Sequence, residues 1–263
     1  MPLAHTRRGA GDALLLVHGT GASKATWEPV IGALAERHEV VAVDMPGFGD
    51  SAPLPAQIRP GVGALAGAVA EFAVEAGLGR PHLAGHSLGG GVGLELARRG
   101  CVRTLTALSP VGFWTARESA WCRHSLVAAR QLARHGAPLV EWLAATPTGR
   151  RAALWQHMAR GDRVPAEVAV AWTRGLAEAA DFDRVNDTAN RECFGGGEEI
   201  VVPVTIAWAQ RDRILLPRQA QRARRALPRA RHLTLTGCGH TPFYDDPEQV
   251  TRVLLEGASR GGD

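Results

Sequence analysis

The sequence lacks several features that would place it in particular classes of protein. It contains no run of 18 consecutive apolar residues, so we expect no membrane-spanning helix. The first twelve residues, MPLAHTRRGAGD, contain no apolar stretch of signal-peptide length after their positive charges. No internal repeat or low-complexity linker is present. These absences predict a protein of the cytoplasm, and we do not expect it to be secreted.

Cysteine is scarce. The four cysteines are far apart and form no CxxC pair, which argues against a zinc site or a redox motif: Cys101, Cys122, Cys193 and Cys238. We therefore expect reduced thiols and no metal ion.

Lysine occurs once, at Lys24, and 29 of the 30 basic Lys and Arg residues are arginine. The net charge of +4 and the pI of about 9.3 could indicate an anionic partner. The densest arginine cluster has no aromatic residues interleaved with it, so we expect a solvated helix face and no nucleic-acid partner: Arg222, Arg224, Arg225, Arg229 and Arg231.

The composition is that of an ordinary globular protein. Of 263 residues, 45% are hydrophobic and 21% are charged, which excludes general disorder, collagen and a coiled coil. The length predicts one large domain, or one domain with an insertion.

Residues 1–110 alternate short apolar runs with helical patterns. Strands are predicted at 13–17, 39–44, 82–84 and 102–108, and helices at 27–36, 62–76 and 92–99. This alternation indicates a parallel sheet with helices on both faces, an α/β fold.

Residues 111–195 show helical patterns without a convincing strand and contain five of the seven tryptophans. We expect an inserted helical cap there, ending near Gly195-Gly196-Gly197. The tryptophans either pack this cap or line a substrate pocket; Trp114, Trp121 and Trp142 are the pocket candidates. Alternation then resumes, with strands at 201–207 and 232–235 and helices at 217–226 and 247–257. We thus expect a core of residues 1–110 and 196–263.

The most informative motif is Gly85-His86-Ser87-Leu88-Gly89, between a predicted strand and a predicted helix. A G-x-S-x-G sequence in this setting is typical of a nucleophile elbow, a sharp turn that exposes the serine hydroxyl. The flanking glycines are needed because side chains there would collide with the neighbouring strand and helix. Ser87 is therefore the predicted nucleophile.

A serine hydroxyl needs a base, usually a histidine oriented by a carboxylate. His240 follows a short predicted strand, and Asp212 follows the apolar run VTIAWA. Ligands of parallel sheets bind at the carboxyl edge of the strands, so Ser87, Asp212 and His240 are expected to meet there. Asp245 and Asp246 are expected to begin the last helix.

The sequence resembles the α/β-hydrolase superfamily over essentially its whole length. The matching pieces are HGTGAS (18–23), DMPGFGDS (44–51), GHSLGG (85–90), WAQRDRILLP (208–217) and GCGHTPFYDDP (237–247). The resemblance implies an eight-stranded, mostly parallel sheet with a helical cap after the sixth strand, the one ending near Leu108. With only 12 residues before the first core strand, one edge strand is expected to be missing. The resemblance also implies a nucleophile at Ser87, an acid at Asp212 and a base at His240.

Further roles follow from the resemblance and from the chemistry of acyl transfer. The backbone N–H groups of Leu88 and Thr20 are expected to form the oxyanion hole. His18 and Asp44 are expected to support the site structurally, and His86 to line the pocket.

These residues predict a cofactor-free serine hydrolase that acts on a small apolar carboxylic ester, or on a thioester or lactone. The protein is expected to be a monomer or homodimer. Hydrolysis of C–C bonds in vinylogous diketones ranks second, because those enzymes often carry tryptophan where this chain has Thr241. Epoxide hydrolysis and dehalogenation are excluded, because their relatives use aspartate in place of Ser87. A small-molecule binding protein or cyclase of the same fold remains the alternative from a different class.

Overall fold

A computed structural model of the protein describes residues 2–261. Seven strands form one sheet in this part of the chain: β1 (His5–Arg8), β2 (Ala13–Val17), β3 (Glu39–Val43), β4 (His82–His86), β5 (Thr104–Leu108), β6 (Val204–Ala209) and β7 (Arg231–Leu235). Their order is β1-β3-β2-β4-β5-β6-β7. Every neighbouring pair is parallel except β1 with β3, which is antiparallel. The structure is thus the α/β-hydrolase fold that the sequence predicts.

The α-helices of the described residues are α1 (Glu28–Ala35), α2 (Val62–Glu75), α3 (Leu88–Arg98), α4 (Ala116–His135), α5 (Ala137–Ala144), α6 (Pro147–Ala153), α7 (Ala166–Glu178), α8 (Phe182–Asp187), α9 (Gln219–Ala226) and α10 (Pro247–Ser259). Short 3₁₀ turns occur at Lys24–Trp27, Gly161–Arg163, Ala189–Arg191 and Gly197–Glu199. Within residues 2–261, no helix is both long and apolar enough to span a bilayer.

Both faces of the sheet are covered, as the unbroken apolar runs of the strands require. In β2, Leu15 and Val17 belong to the core cluster that also contains side chains of α2 and α3. The alternate residues Leu14 and Leu16 belong to the cluster on the other face, with side chains of α1 and α10. Since successive side chains of a strand point to opposite faces, both sets must be apolar.

The sheet has seven strands in the described residues, not the eight that the family resemblance implied. The twelve residues before β2 accommodate only the four-residue strand β1, which pairs with β3 at the sheet edge. The expected loss of one edge strand therefore agrees with the structure.

One helix boundary differs in a way that matters for function. The pattern predicted a helix from residue 92, but α3 begins at Leu88, directly after Ser87. Gly89, Gly90 and Gly91 have poor intrinsic helix propensity and hid this first turn.

Between β5 and β6 lie α4 to α8, joined by turns and containing no strand within the described chain. We call residues 111–195 the inserted segment. Its own small core cluster contains Ala144, Met158, Val164 and Ala169.

The arginine cluster near α9 is not simply a solvated face. Arg222 and Arg218 both pair with the buried carboxylate of Glu118 in α4. Burial alone would raise the pKa of Glu118, but hydrogen bonds from Arg222, Thr115 and Arg218 lower this pKa to about 2. These arginines therefore fasten α9 to the inserted segment.

Candidate active site

Ser87 lies in a strained turn between β4 and α3. Its backbone angles are φ 55° and ψ −114°, in the region that L-residues rarely adopt. The turn is held by hydrogen bonds from the Ser87 N–H to the Leu108 carbonyl at 2.9 Å and from the Val111 N–H to the Ser87 carbonyl at 3.1 Å. Tertiary contacts thus impose the conformation of this serine.

The glycines around Ser87 are required by close backbone contacts. A Cβ atom on Gly85 would lie 2.2 Å from the carbonyl oxygen of Gly89, and one on Gly89 would lie 2.1 Å from that of Val17. Neither contact involves a flexible side chain, so no rotamer change could relieve it. The turn can form only with glycine at both positions.

Asp212 and His240 form a hydrogen-bonded pair at the carboxyl edge of the sheet. The Nδ1 atom of His240 lies 2.7 Å from Oδ2 of Asp212. The other oxygen, Oδ1, accepts hydrogen bonds from the N–H groups of Ile214 at 2.9 Å and Leu215 at 2.7 Å. A carboxylate only accepts hydrogen bonds, so the imidazole carries its proton on Nδ1 and has an accepting Nε2 when neutral.

His86 connects the serine turn to the loop of His240. Its Nε2–H donates to the backbone carbonyl of His240 at 2.8 Å, and the two rings are 4.8 Å apart. Burial, together with the nearby His240, keeps the pKa of His86 well below its usual value, so the ring is neutral. Its Nδ1 atom is buried without a hydrogen-bond partner in residues 2–261. A Cβ on Gly19 would lie 3.2 Å from this atom, so Nδ1 lies beside the loop that follows β2.

His18 fixes the start of that loop. The backbone N–H of Met45 donates to its Nε2 at 2.9 Å, so the proton sits on Nδ1 and is donated to the Gly19 carbonyl at 2.7 Å. Burial lowers the pKa of His18, which favours this neutral form. The ring therefore holds the loop through both nitrogens.

The single lysine holds the other end of the same loop. Oδ1 of the buried Asp44 accepts from the Lys24 N–H at 2.6 Å, and Oδ2 accepts from the Lys24 ammonium at 2.6 Å and from the Asp50 N–H at 3.0 Å. A Cβ on Gly49 would lie within 2.5 Å of the carboxylate oxygens. Asp44 is thus surrounded by donors and supports the loop between His18 and Lys24.

The two residues expected to supply oxyanion donors lie on either side of Ser87. Thr20 is half-buried on the loop after β2, and the side-chain amide of Asn190 is 3.4 Å from its hydroxyl oxygen. Leu88 is the first residue of α3, and its side chain is fully buried. N–H groups of a first helical turn have no acceptor within the helix, and the helix dipole favours negative charge there.

A cavity of about 280 Å³ joins these elements. Its wall includes Ser87, His240, His86 and Thr20. The inserted segment contributes mostly apolar side chains, among them Leu126, Leu132, Val140, Leu154, Met158 and Leu176. None of the described residues that line it is Asp, Glu, Lys or Arg. In a chain with 30 basic residues, this cavity is suited to an uncharged ligand.

The three candidate pocket tryptophans do not line this cavity. Trp114 is buried in the main core cluster. Trp121 is 46% exposed and donates its indole N–H to the Arg213 carbonyl at 2.9 Å, while Trp142 on α5 is 71% exposed. The tryptophan at the cavity is Trp172, whose ring packs edge-on against Tyr244 at 5.6 Å. Composition alone could not separate solvent-facing indoles from those that point inward.

Two residues near His240 were not singled out by the sequence for the roles that they have. Asp246 caps α10 as expected, but Asp245 does not. Its Oδ2 accepts from the N–H groups of Gly239 at 2.7 Å and Ala159 at 3.0 Å, and its Oδ1 accepts from that of Arg160 at 2.6 Å. One acid is enough to cap a helix. The second acid in Asp245-Asp246-Pro247 was therefore the feature of the sequence that could have indicated another role for Asp245.

The other residue is His157, in the inserted segment and on the cavity wall. Its backbone carbonyl accepts a hydrogen bond from the Thr241 N–H at 2.7 Å. No motif marks this histidine, because its neighbours in space are distant in the chain.

Comparison with known proteins identifies the family to which this fold belongs. Residues 14–253 match the description of the alpha/beta hydrolase family. The chain belongs to that family. It is 30% identical to the dihydrolipoyllysine-residue acetyltransferase component of the acetoin cleaving system of Cupriavidus necator, over 95% of this chain and 64% of that protein. It therefore spans less than two thirds of that relative.

A second relative is close to this chain in length. It is named "Putative carbamate hydrolase RutD", from Escherichia coli O7:K1, and is 28% identical over 93% of this chain and 90% of its own. Among solved structures, a bacterial membrane phospholipase A superposes with a TM-score of 0.76 at 28% identity, covering 98% of this chain and 83% of that one. This alpha/beta hydrolase thus resembles relatives with different named substrates.

Proposed function

We propose that this alpha/beta hydrolase is a cofactor-free serine hydrolase that cleaves an uncharged carboxylic ester through an acyl-enzyme. The observation that carries the proposal is the Asp212–His240 hydrogen bond of 2.7 Å at the same cavity as the strained Ser87. A nucleophile, a base and an orienting carboxylate are the groups that acyl transfer needs.

In the first half-reaction, Oγ of Ser87 attacks the ester carbonyl carbon while Nε2 of His240 accepts the hydroxyl proton. Asp212 stabilises the resulting imidazolium and holds its orientation. The N–H groups of Thr20 and Leu88 bind the negative oxygen of the tetrahedral intermediate, and one such donor contributes about 3 kcal/mol. The carbon–oxygen bond to the alcohol then breaks, and His240 gives its proton to the departing oxygen.

In the second half-reaction, water attacks the acyl carbon and His240 accepts a proton from it. The second tetrahedral intermediate releases Oγ of Ser87, which takes the proton back from His240. The products are a carboxylic acid and an alcohol, and the enzyme returns to its starting state.

The residues that line the cavity favour a substrate whose acyl group is apolar and uncharged. Anionic substrates would find no cationic partner among its described lining residues, and desolvating an unpaired charge is costly. We propose that the inserted segment, residues 111–195, acts as the cap of this cavity and that residues 1–110 and 196–263 form the catalytic core. A thioester or lactone would follow the same steps.

The proposal is tested with ethyl butyrate, with monoethyl succinate as an anionic analogue of similar length. We expect turnover of ethyl butyrate, at least tenfold lower kcat/KM for monoethyl succinate, and a loss of about 10⁴ or more in kcat for Ser87→Ala. A fluorophosphonate should label Ser87 in the wild type.

Full turnover by Ser87→Ala would contradict the mechanism. If the wild type is labelled but cleaves no ester, thioester or lactone, the protein belongs with the binding or cyclase alternative. Cleavage of a vinylogous diketone without ester hydrolysis would favour C–C hydrolysis.

A further inference from the structure

His157 is an uncommitted polar side chain at the cavity. It lies between α6 and the 3₁₀ turn Gly161–Arg163, and it lines the cavity with mostly apolar neighbours from the inserted segment. Its imidazole forms no hydrogen bond with any group in residues 2–261. The residue is half-buried, and neither ring nitrogen is among the buried polar atoms that lack a partner in the described chain, so both nitrogens are open to a ligand or water in the cavity.

The position of His157 is fixed against the loop of His240. The Thr241 N–H donates to the His157 carbonyl at 2.7 Å, and a Cβ on Gly239 would lie only 2.8 Å from Cα of Met158. Asp245 joins the two segments again, because its carboxylate accepts hydrogen bonds from both. The chain at His157 therefore lies directly beside the proposed base.

The ring is uncharged at neutral pH. Burial and the neighbouring His240 lower the pKa of His157 to about 4. A neutral imidazole has one N–H donor and one accepting nitrogen, so it can bind a hydroxyl group in either direction.

The proposed mechanism indicates which part of the substrate lies near the His157 ring. In the proposed function, on which this inference rests, His240 protonates the alcohol oxygen as it leaves. The alcohol part of the ester must then extend along the His240 side of the cavity, where His157 lies. Simple alkyl alcohols would leave the imidazole without a partner, whereas an alcohol with a further hydroxyl would satisfy it.

We infer that His157 is a specificity-determining residue that hydrogen-bonds a hydroxyl group on the alcohol part of the substrate. The preferred substrates are then monoesters of glycerol or of a diol rather than esters of simple alkanols. Sites built to bind a hydroxyl discriminate strongly against the analogue that lacks it, because their own polar group is left unpaired.

The test compares glyceryl monobutyrate with propyl butyrate, which differ only in the two hydroxyl groups of the alcohol. In His157→Leu, we expect kcat/KM for glyceryl monobutyrate to fall at least tenfold and that for propyl butyrate to change less than threefold. His157→Gln keeps a donor and an acceptor, so it should restore part of the preference. His124→Leu makes the same change at an exposed position on α4 and should leave both values unchanged.

Two results would overturn the inference while Ser87-dependent hydrolysis of propyl butyrate kept the proposed function intact. One is an equal loss for both esters in His157→Leu, which would indicate a purely structural role. The other is no change in either kcat/KM value, which would show that His157 does not bind the substrate. If Ser87→Ala retained full turnover of both esters, the proposed function and this inference would fail together.

Discussion

At the residue scale, the orientation of His240 depends on the chemical asymmetry of Asp212. One carboxylate oxygen is occupied by two backbone N–H groups, and the other faces Nδ1 of His240. The two backbone N–H groups and the Nδ1–H group of His240 therefore each need an accepting oxygen. Only the oxygen that faces His240 affects proton transfer.

Asp212→Asn should distinguish the role of the oxygen that accepts from the backbone from the role of the oxygen that faces His240. The amide oxygen can still accept from Ile214 and Leu215, but the NH₂ group would face Nδ1 and favour the tautomer whose Nε2 carries the proton. That nitrogen could no longer accept the serine proton. We expect kcat for ethyl butyrate to fall by about 10⁴ with little change in the thermal midpoint. A loss below tenfold would show that Asp212 does not set the tautomer.

Lys24 makes a second residue-level test possible, because its partner Asp44 is fully buried while Lys24 is near the surface. Lys24→Met would remove the ammonium and leave the carboxylate with its two backbone donors. We expect a loss of about 2–3 kcal/mol in the free energy of unfolding, measured by urea denaturation. Arg8→Met is the matched control, since the Arg8–Glu28 pair is exposed on both sides and should contribute less than about 1 kcal/mol. Equal losses for the two variants would argue against a supporting role for Asp44.

At the element scale, the ends of β2, β4, β6 and β7 bring the site together. Each strand runs in the same direction, so the loop at His18, Ser87, Asp212 and His240 all emerge at one edge of the sheet. This much could be predicted from the sequence, because apolar runs mark the strands and the polar residues follow them directly.

Contacts between the inserted segment and this edge could not be predicted. Asp245 and Ala159 are separated by 86 positions, and no local pattern encodes which carboxylate meets which N–H group. The face that a tryptophan presents depends in the same way on how its helix packs. Trp142 on α5 lies outward and Trp172 on α7 inward, although both belong to apolar helical stretches.

Asp245 and Asp246 are adjacent acids that test this element-level contact. In Asp245→Asn the amide oxygen can accept on one side only, and the NH₂ group would face at least one backbone N–H on the other side, so we expect a loss of about 2 kcal/mol in unfolding free energy and a lower kcat/KM. Asp246→Asn should change the free energy by no more than about 0.5 kcal/mol, because asparagine caps a helix as well as aspartate. Urea denaturation of both variants gives the comparison, and a larger loss for Asp246→Asn would contradict the assignment of Asp245.

At the scale of the whole molecule, the arginine side chains are separated from the apolar cavity. Arginines lie at the surface or pair with carboxylates such as Glu118, and the cavity is lined by uncharged residues in the described chain. The ionisable side chains that line the cavity in the described chain are histidines, and burial keeps two of them, His86 and His157, in the neutral form. Acid should therefore act on the fold through these histidines before it protonates the carboxylates.

The sign of this effect follows from the depressed pKa values of His18, His86 and His157, the last at about 4. Below the ordinary histidine pKa of about 6.5, these histidines bind protons in the unfolded chain but stay neutral in the folded protein. The free energy of unfolding therefore falls as the pH falls. Each histidine contributes at most about 1.4 kcal/mol per pH unit in this window, which for His157 ends near pH 4.

Urea denaturation at pH 8, 7, 6 and 5 should show constant stability above pH 7 and a steepening loss below 6.5. His157→Leu should have a shallower dependence between pH 6.5 and 5 than the wild type, and the exposed-site variant His124→Leu should not. Unchanged wild-type stability between pH 7 and 5 would show that these histidines bind protons in the folded protein as readily as in the unfolded chain.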